Sequence, residues 1–301
     1  MPFAYSNENY KSLRLSLVSI SIAGAIFSLL SFLSLPSHLG EAEQFAGFTK
    51  KATQFSQILG GFLPFTLWSL WWANHIAIKT ACASGFFLGV VSLILGGTRA
   101  ATIAGLLSIF PLLLTFANRK NIKWLLFLVI PPLLLGYILF QHSSVERMNF
   151  LLERYSIDAG LSDREIFWKK SFSEIDKNPL LGRGIGAAEN VLSDSFHNAY
   201  LEIWFNTGLF GLLLFLASQI CFLYRIAYLA RISNVSEIRS VLALVLGYMI
   251  GFIFMCIFES IGAGASNLNM ILYLFLGVLV SNNRLAGANK FSNHTDPLLA
   301  K

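Results

Sequence analysis

Runs of about twenty apolar residues recur along this chain, each long enough to cross the hydrocarbon core of a bilayer as a helix. They fall near 13–35, 54–73, 76–96, 100–117, 122–140, 198–223, 238–258 and 267–281. Between them there is little polar material. Charged residues make up 13% of the chain, about half of what a soluble domain needs to cover its surface, and mean hydropathy is +0.64. The sequence therefore predicts an all-α polytopic membrane protein with about eight transmembrane helices, forming a single integral membrane domain over 1–301. Pro64, Pro111 and the pair Pro131–Pro132 lie inside these runs, where packed neighbours can re-satisfy freed backbone groups, so kinks are expected rather than breaks. Cys82, Cys221 and Cys256 sit in apolar runs without metal-ligand spacing and read as small core residues. The first run is longer than the apolar core of a secretory signal and no small-residue cleavage site follows it, which predicts a retained signal-anchor helix.

Orientation follows from the charges. With the N-terminus in the cytoplasm, the inner segments collect 12 basic and three acidic residues and net +9, while the outer side nets −3. Cytoplasmic loops accumulate Lys and Arg, so both termini are expected in the cytoplasm. The same rule accounts for the overall charge of +6 without nucleic acid as a partner. On this topology two segments face outwards at length, 36–53 and 141–197. The second holds 16 of the 38 charged residues, and loops of that size and polarity usually carry function.

The outer loop offers three elements with chemical content. In DREIFWKKSFSEID (163–176), helical spacing puts Arg164, Trp168, Phe172 and Ile175 on one stripe, with Lys169, Lys170, Glu174 and Asp163 elsewhere. Trp168 and Phe172 suit a short amphipathic helix lying at the membrane interface. Arg164 shares their stripe, either snorkelling to the headgroups or holding an anionic phosphate group. NPLLGRGIG (178–186) has no strand before it and so is no dinucleotide fingerprint; it reads as a tight turn or as a phosphate-binding nest. His197 stands where the loop re-enters the membrane, beside Asn198, Tyr200 and Glu202, and a neutral imidazole there can take a proton from a hydroxyl. Arg99, in the outer turn GGTRA, and Glu259, at the outer end of another helix, each read either as interface anchors or as site residues. Glu174 and Asp176 lie 200° apart on a helix and read as a solvated charged face, so no metal site is expected. No ionisable residue sits securely at mid-bilayer, which weighs against an ion-coupled transporter.

The stretch from Arg164 to Gly211, with R-x3-W, NPLLGRGIG, HNAYLE and a Gly-rich helix start, together with the GGTRAA turn before it and a large outer loop ending in His, resembles the O-antigen ligase and O-antigen polymerase family of bacterial envelopes. The specific likeness covers about 95–215. It implies a multi-pass enzyme of the bacterial inner membrane that needs no cofactor or metal. The implied reaction is an inverting glycosyl transfer from a glycan carried on polyprenyl diphosphate to a sugar hydroxyl, on lipid A core for a lipopolysaccharide ligase or on another lipid-linked glycan for a polymerase. In that comparison Arg99 and Arg164 match the arginines that act on the diphosphate and His197 matches the base; Arg183, Asn198, Glu202 and Glu259 are candidate supporting residues by their place beside these. Two positions depart from the family pattern. Arg183 stands where members often carry an uncharged residue, and Asn206 where many carry an acidic one. Members are also usually longer, so fewer N-terminal helices are expected here. Two other classes fit a polytopic chain: a membrane transporter, and a non-catalytic scaffold of an envelope polysaccharide complex.

Overall fold

A computed structural model describes residues 7–34, 52–116, 145–155, 164–184, 196–233 and 236–260, with the single positions 134, 138 and 187. All regular structure among these residues is α-helical. We number the helices α1 (Asn7–Ser34), α2 (Ala52–Trp72), α3 (Ile76–Leu95), α4 (Arg99–Phe116), α5 (Val145–Tyr155), α6 (Arg164–Ile175), α7 (Ala199–Ile232) and α8 (Ser236–Phe258). Four of them, over Leu13–Ser34, Ile76–Leu95, Ala199–Ile232 and Ser236–Phe258, are long and apolar enough to cross a membrane, and Arg99–Thr115 is a shorter apolar helix. The runs expected at 122–140 and 267–281 and the outer segment 36–51 lie outside the described residues. Pro64 and Pro111 sit inside continuous helices, as expected.

The helix α2 has the length of a span but a more polar composition, and its position explains why. It is the central element, packed against α1, α3, α4 and α8. Its polar side chains Ser56, Gln57, Thr66 and Ser69 are all buried, alongside Phe55, Phe65 and Trp68. Cross-bundle hydrogen bonds tie the helix in: Ser21 on α1 donates to the Phe65 carbonyl at 2.7 Å, Ser69 donates to Ser21 at 2.7 Å, Ser56 donates to Thr98 at 3.0 Å, and the Trp68 indole donates to Ser240 on α8 at 3.1 Å. Bonds of this kind between membrane helices are worth about 0.6–2 kcal/mol each. Outward faces are apolar instead: Leu15, Leu33, Phe110, Leu114, Leu214 and Ile220 are all exposed, the pattern of helices solvated by lipid.

Small residues set the helix spacing. Gly85 abuts Ala25 between α3 and α1, Gly60 faces Gly105 between α2 and α4, and Gly247 and Gly251 of α8 lie on the Ser108 and Ala104 carbonyls of α4. Without water to drive association, close backbone approach at Gly and Ala is what holds membrane helices together. The contacts 104 to 251 and 108 to 247 also show that α4 and α8 run antiparallel, so the start of α4 and the end of α8 share one end of the bundle. The opposite end is tied by Arg14 of α1. It donates to the Trp72 carbonyl and, at 2.6 Å, to the Asn74 side chain, and it pairs with Glu237 at the start of α8 at 3.5 Å.

The helices between α4 and α7 are shorter. α5 is amphipathic and anchors Leu151 in the main core. In α6 the buried stripe passes through Phe167, Trp168, Ser171 and Ile175, while Phe172 is 46% exposed at its margin. α7 departs most from expectation. It runs past 223 to Ile232, and Gly208 (φ 70°, ψ −175°) breaks it into a short helix, 199–207, and a long one, 209–232. Tyr200 contacts both Phe215, with ring centroids 5.9 Å apart, and Gln219, at 3.1 Å. In a straight helix residues 200 and 219 would be about 28 Å apart, so the short helix folds back beside the long one.

A Cβ on Gly247 would fall 1.9 Å from the Ser108 carbonyl oxygen. Gly247→Val is therefore expected to lower stability by about 1–3 kcal/mol through overpacking, whereas the outward-facing change Leu214→Ala leaves it unchanged. Thermal melting of the two variants in detergent micelles is the check.

Candidate active site

Three charged or titratable side chains from distant parts of the sequence meet at the α4-start, α8-end side of the bundle. Glu259 follows the last turn of α8, its side chain only 5% exposed. Arg164, the first residue of α6, donates from Nη2 to Glu259 Oε1 at 2.7 Å. His197 places Nδ1 3.7 Å from the other oxygen, Oε2, slightly beyond hydrogen-bond length. The His197 side chain is 31% exposed, and its ring lies 5.6 Å from that of Phe167, one turn along α6 from Arg164. One buried carboxylate thus faces a guanidinium on one oxygen and an imidazole on the other. Among the described residues the remaining nitrogens of Arg164 make no hydrogen bond, so the guanidinium keeps donor capacity beyond Glu259.

Local sequence explains how His197 is presented. It is the one described non-glycine residue with a positive φ, 47°. Such a conformation is uncommon outside Gly, Asn and Asp and costs free energy that surrounding contacts must offset. Asn198 follows as the N-cap of α7, its side chain accepting from Leu201 N at 3.0 Å. That bond commits Asn198 to capping the helix. Glu202 lies in the first turn, where a carboxylate complements the helix dipole.

Through Gly184 the Gly-rich segment is tied down by protein carbonyls. Gly182 N donates to Asn178 O at 3.2 Å, Arg183 N to Phe205 O at 2.9 Å and Gly184 N to Asn206 O at 2.9 Å. These amides are used by protein carbonyls, so the turn reading holds for 178–184. On the other side of the Gly208 break, Leu209 N donates to Pro179 O at 2.9 Å, and the Trp204 indole donates to the same carbonyl at 2.9 Å. The strap passes so close to the break that a Cβ on Gly208 would lie 2.0 Å from the Leu180 oxygen and one on Gly182 2.4 Å from Gly208 N. Both glycines have positive φ, 70° and 71°, so these two positions need Gly for conformation and for space.

Arg183 and Glu174 correct the sequence reading in a different way. Glu174 is not on a solvated face: its side chain is 17% exposed and accepts from Arg183 at 3.0 Å and from Lys177 at 2.5 Å. The Lys177 hydrogen bond, reinforced by the Lys177 and Arg183 charges, holds its carboxyl below the usual carboxylate range. Arg183 also lies over the Phe205 ring, 5.4 Å from its centroid. It is remote from Glu259, at the other end of α6 from Arg164. Arg99 begins α4 at the same end of the bundle as Glu259, half-buried. Sequence reasoning placed Arg164, His197 and Glu259 on one side but had no means of pairing them, because Glu259 lies 95 residues from Arg164.

Residues 84–216 match the family model described as O-antigen ligase. That segment is similar to the O-antigen ligases. It runs from within α3 into α7 and contains Arg99, Arg164, Arg183 and His197, while Glu259 lies beyond it. No curated protein matches the chain. The apolar helices mark a membrane protein, and the matched segment supports a place in envelope polysaccharide synthesis, where the family implies a lipid-linked glycan donor and a glycan acceptor.

Glu259 is buried, so removing its cation is costly. Arg164→Ala is expected to destabilise the protein by about 3–5 kcal/mol, the scale for leaving one partner of a buried pair uncompensated. Neutralising the carboxylate as well, in Arg164→Ala with Glu259→Gln, recovers most of that loss. Melting temperatures of the single and double variants in detergent measure it; equal melting of the two excludes the pairing.

Proposed function

We propose that this chain catalyses an inverting, metal-independent transfer of a glycan from polyprenyl diphosphate to a sugar hydroxyl, with His197 as the general base. The observation that carries the reading is the convergence of Arg164, His197 and Glu259 at one end of the bundle. The acceptor hydroxyl lies against the exposed part of the imidazole and gives up its proton as its oxygen attacks the anomeric carbon. The bond from that carbon to the diphosphate oxygen breaks on the opposite face, so configuration inverts. Glu259, beside Nδ1, orients the ring and stabilises the imidazolium that forms, the role of a carboxylate behind a catalytic histidine. Arg164 and Arg99 supply fixed positive charge to the leaving diphosphate, charge that would otherwise need a cation. The acceptor is lipid A core in a ligase or a second lipid-linked glycan in a polymerase. Asn198 and Glu202 support the site through the helix that carries His197.

The same reading places the chain in the bacterial inner membrane with about eight spans, those at 122–140 and 267–281 included. Both termini are cytoplasmic and the 141–197 loop is outside. Its support is the charge split together with the bundle ends: Arg14, Lys79, Arg225, Arg231 and Arg239 fall at the end opposite the site.

Two measurements test it. Single cysteines on a cysteine-free background should be labelled from outside at position 170 and only from inside at position 121; the reverse pattern puts the site on the wrong side of the membrane. In liposomes supplied with a polyprenyl-diphosphate oligosaccharide and lipid A core or a second lipid-linked glycan, His197→Ala should reduce transfer about 10²–10⁴-fold, the usual worth of a general base, with normal membrane insertion. His142→Ala, off the motif in the same outer segment, should not. Wild-type transfer by a well-inserted His197→Ala variant removes the base from the mechanism.

A further inference from the structure

α6 and the short helix 199–207 lie side by side and parallel. Phe167 meets His197, Phe172 meets Trp204 edge-on with centroids 6.4 Å apart, and Ile175 packs with Leu201 and Phe205 over Trp168. They are tied at both ends. At the site end the tie is Glu259, between Arg164 and His197. At the far end it is Arg183, whose guanidinium pairs with Glu174 near the end of α6 and covers Phe205 near the end of the short helix. The Arg183 amide also donates to the Phe205 carbonyl. Each rod is short, about 15 Å from Arg164 to Glu174 and about 13 Å over the nine residues of 199–207. A slip at the far rung therefore carries through to the near one, with little intervening length to absorb it.

We propose that Arg183 is a positioning residue: through Glu174 and Phe205 it fixes the register of α6 against the short helix and so sets the placement of Arg164 relative to His197. It touches neither substrate, and this role rests on the glycan-transfer reading above. Three features support it beyond plain stability. The Gly-rich strap is bonded to both sides of the Gly208 break, so it holds the short helix at its pivot. The Arg183 side chain adds to this the one link from the strap to the Glu174 carboxylate that spans both rods. Lys177 shares that carboxylate but is 56% exposed and does not reach the short helix, so it makes no rung.

The test is steady-state transfer by the purified full chain in liposomes, with a polyprenyl-diphosphate oligosaccharide and lipid A core or a second lipid-linked glycan. Arg183→Ala and Glu174→Gln should each lower kcat by about tenfold to hundredfold, the penalty for displacing a reacting group by roughly 1 Å. KM for the donor should change little. Lys177→Ala should match wild type. The reversed pair, Arg183→Glu with Glu174→Arg, should recover most of the lost kcat, which a purely local defect would not. If Arg183→Ala is missing from the membrane, Glu174→Gln and the reversed pair decide. Wild-type kcat in Glu174→Gln, or a reversed pair no better than its single changes, overturns the positioning role while leaving the function intact. Absence of transfer by the wild-type chain with either acceptor overturns the assigned function and this role with it.

Discussion

In an unbroken helix the carbonyls of Phe205 and Asn206 would accept from the amides of residues 209 and 210. The break at Gly208 sends the Leu209 amide to the Pro179 carbonyl instead, and near a bilayer an unpaired carbonyl costs several kcal/mol. The amides of Arg183 and Gly184 donate to the carbonyls of Phe205 and Asn206. This exchange folds the segment before α7 back onto its helix. Everything at the site depends on this joint. It turns one long apolar run into a spanning helix and a short lateral one, and the lateral one carries His197 at its start.

Electrostatics at Glu259 follow from that geometry. A carboxylate 5% exposed at the end of an apolar helix needs a counter-charge, and Arg164 provides it. In the proposed transfer the imidazole beside its second oxygen takes up the acceptor's proton and becomes cationic. A buried anion already in place stabilises that cation without reorganising, so the arrangement favours the charged intermediate over the resting state. On the proposed mechanism Arg164 faces two anions in turn, a permanent one in the protein and a transient one on the substrate. Its planar fork can serve both with different nitrogens, which a lysine cannot do.

Much of this was legible in the sequence, for identifiable reasons. Apolar runs report helices because the bilayer imposes length and composition directly, so α1, α3 and α8 are found close to where they were expected. Arg164 and His197 are marked by local context: an Arg on an aromatic stripe, a His at a loop end. What could not be read depends on long-range contact. The pairing of Glu259 with both of them joins segments far apart in sequence. The Gly208 break was hidden because a Gly inside an apolar run usually means helix packing, as at Gly247 and Gly251, and only the strap reveals the other use. Glu174 looked solvated because helical spacing describes one helix, and its partner Arg183 lies in the turn beyond.

The two uses of glycine divide the molecule. In α4 and α8 the small residues bring backbones together and leave helices continuous, which gives a stiff frame cross-linked by Ser21, Ser69, Trp68 and Ser240. At 182 and 208 they allow left-handed backbone where no side chain would fit, which gives a joint. The site draws on both. The frame fixes Glu259 at its end of the bundle, and the joint brings His197 to that carboxylate from the side.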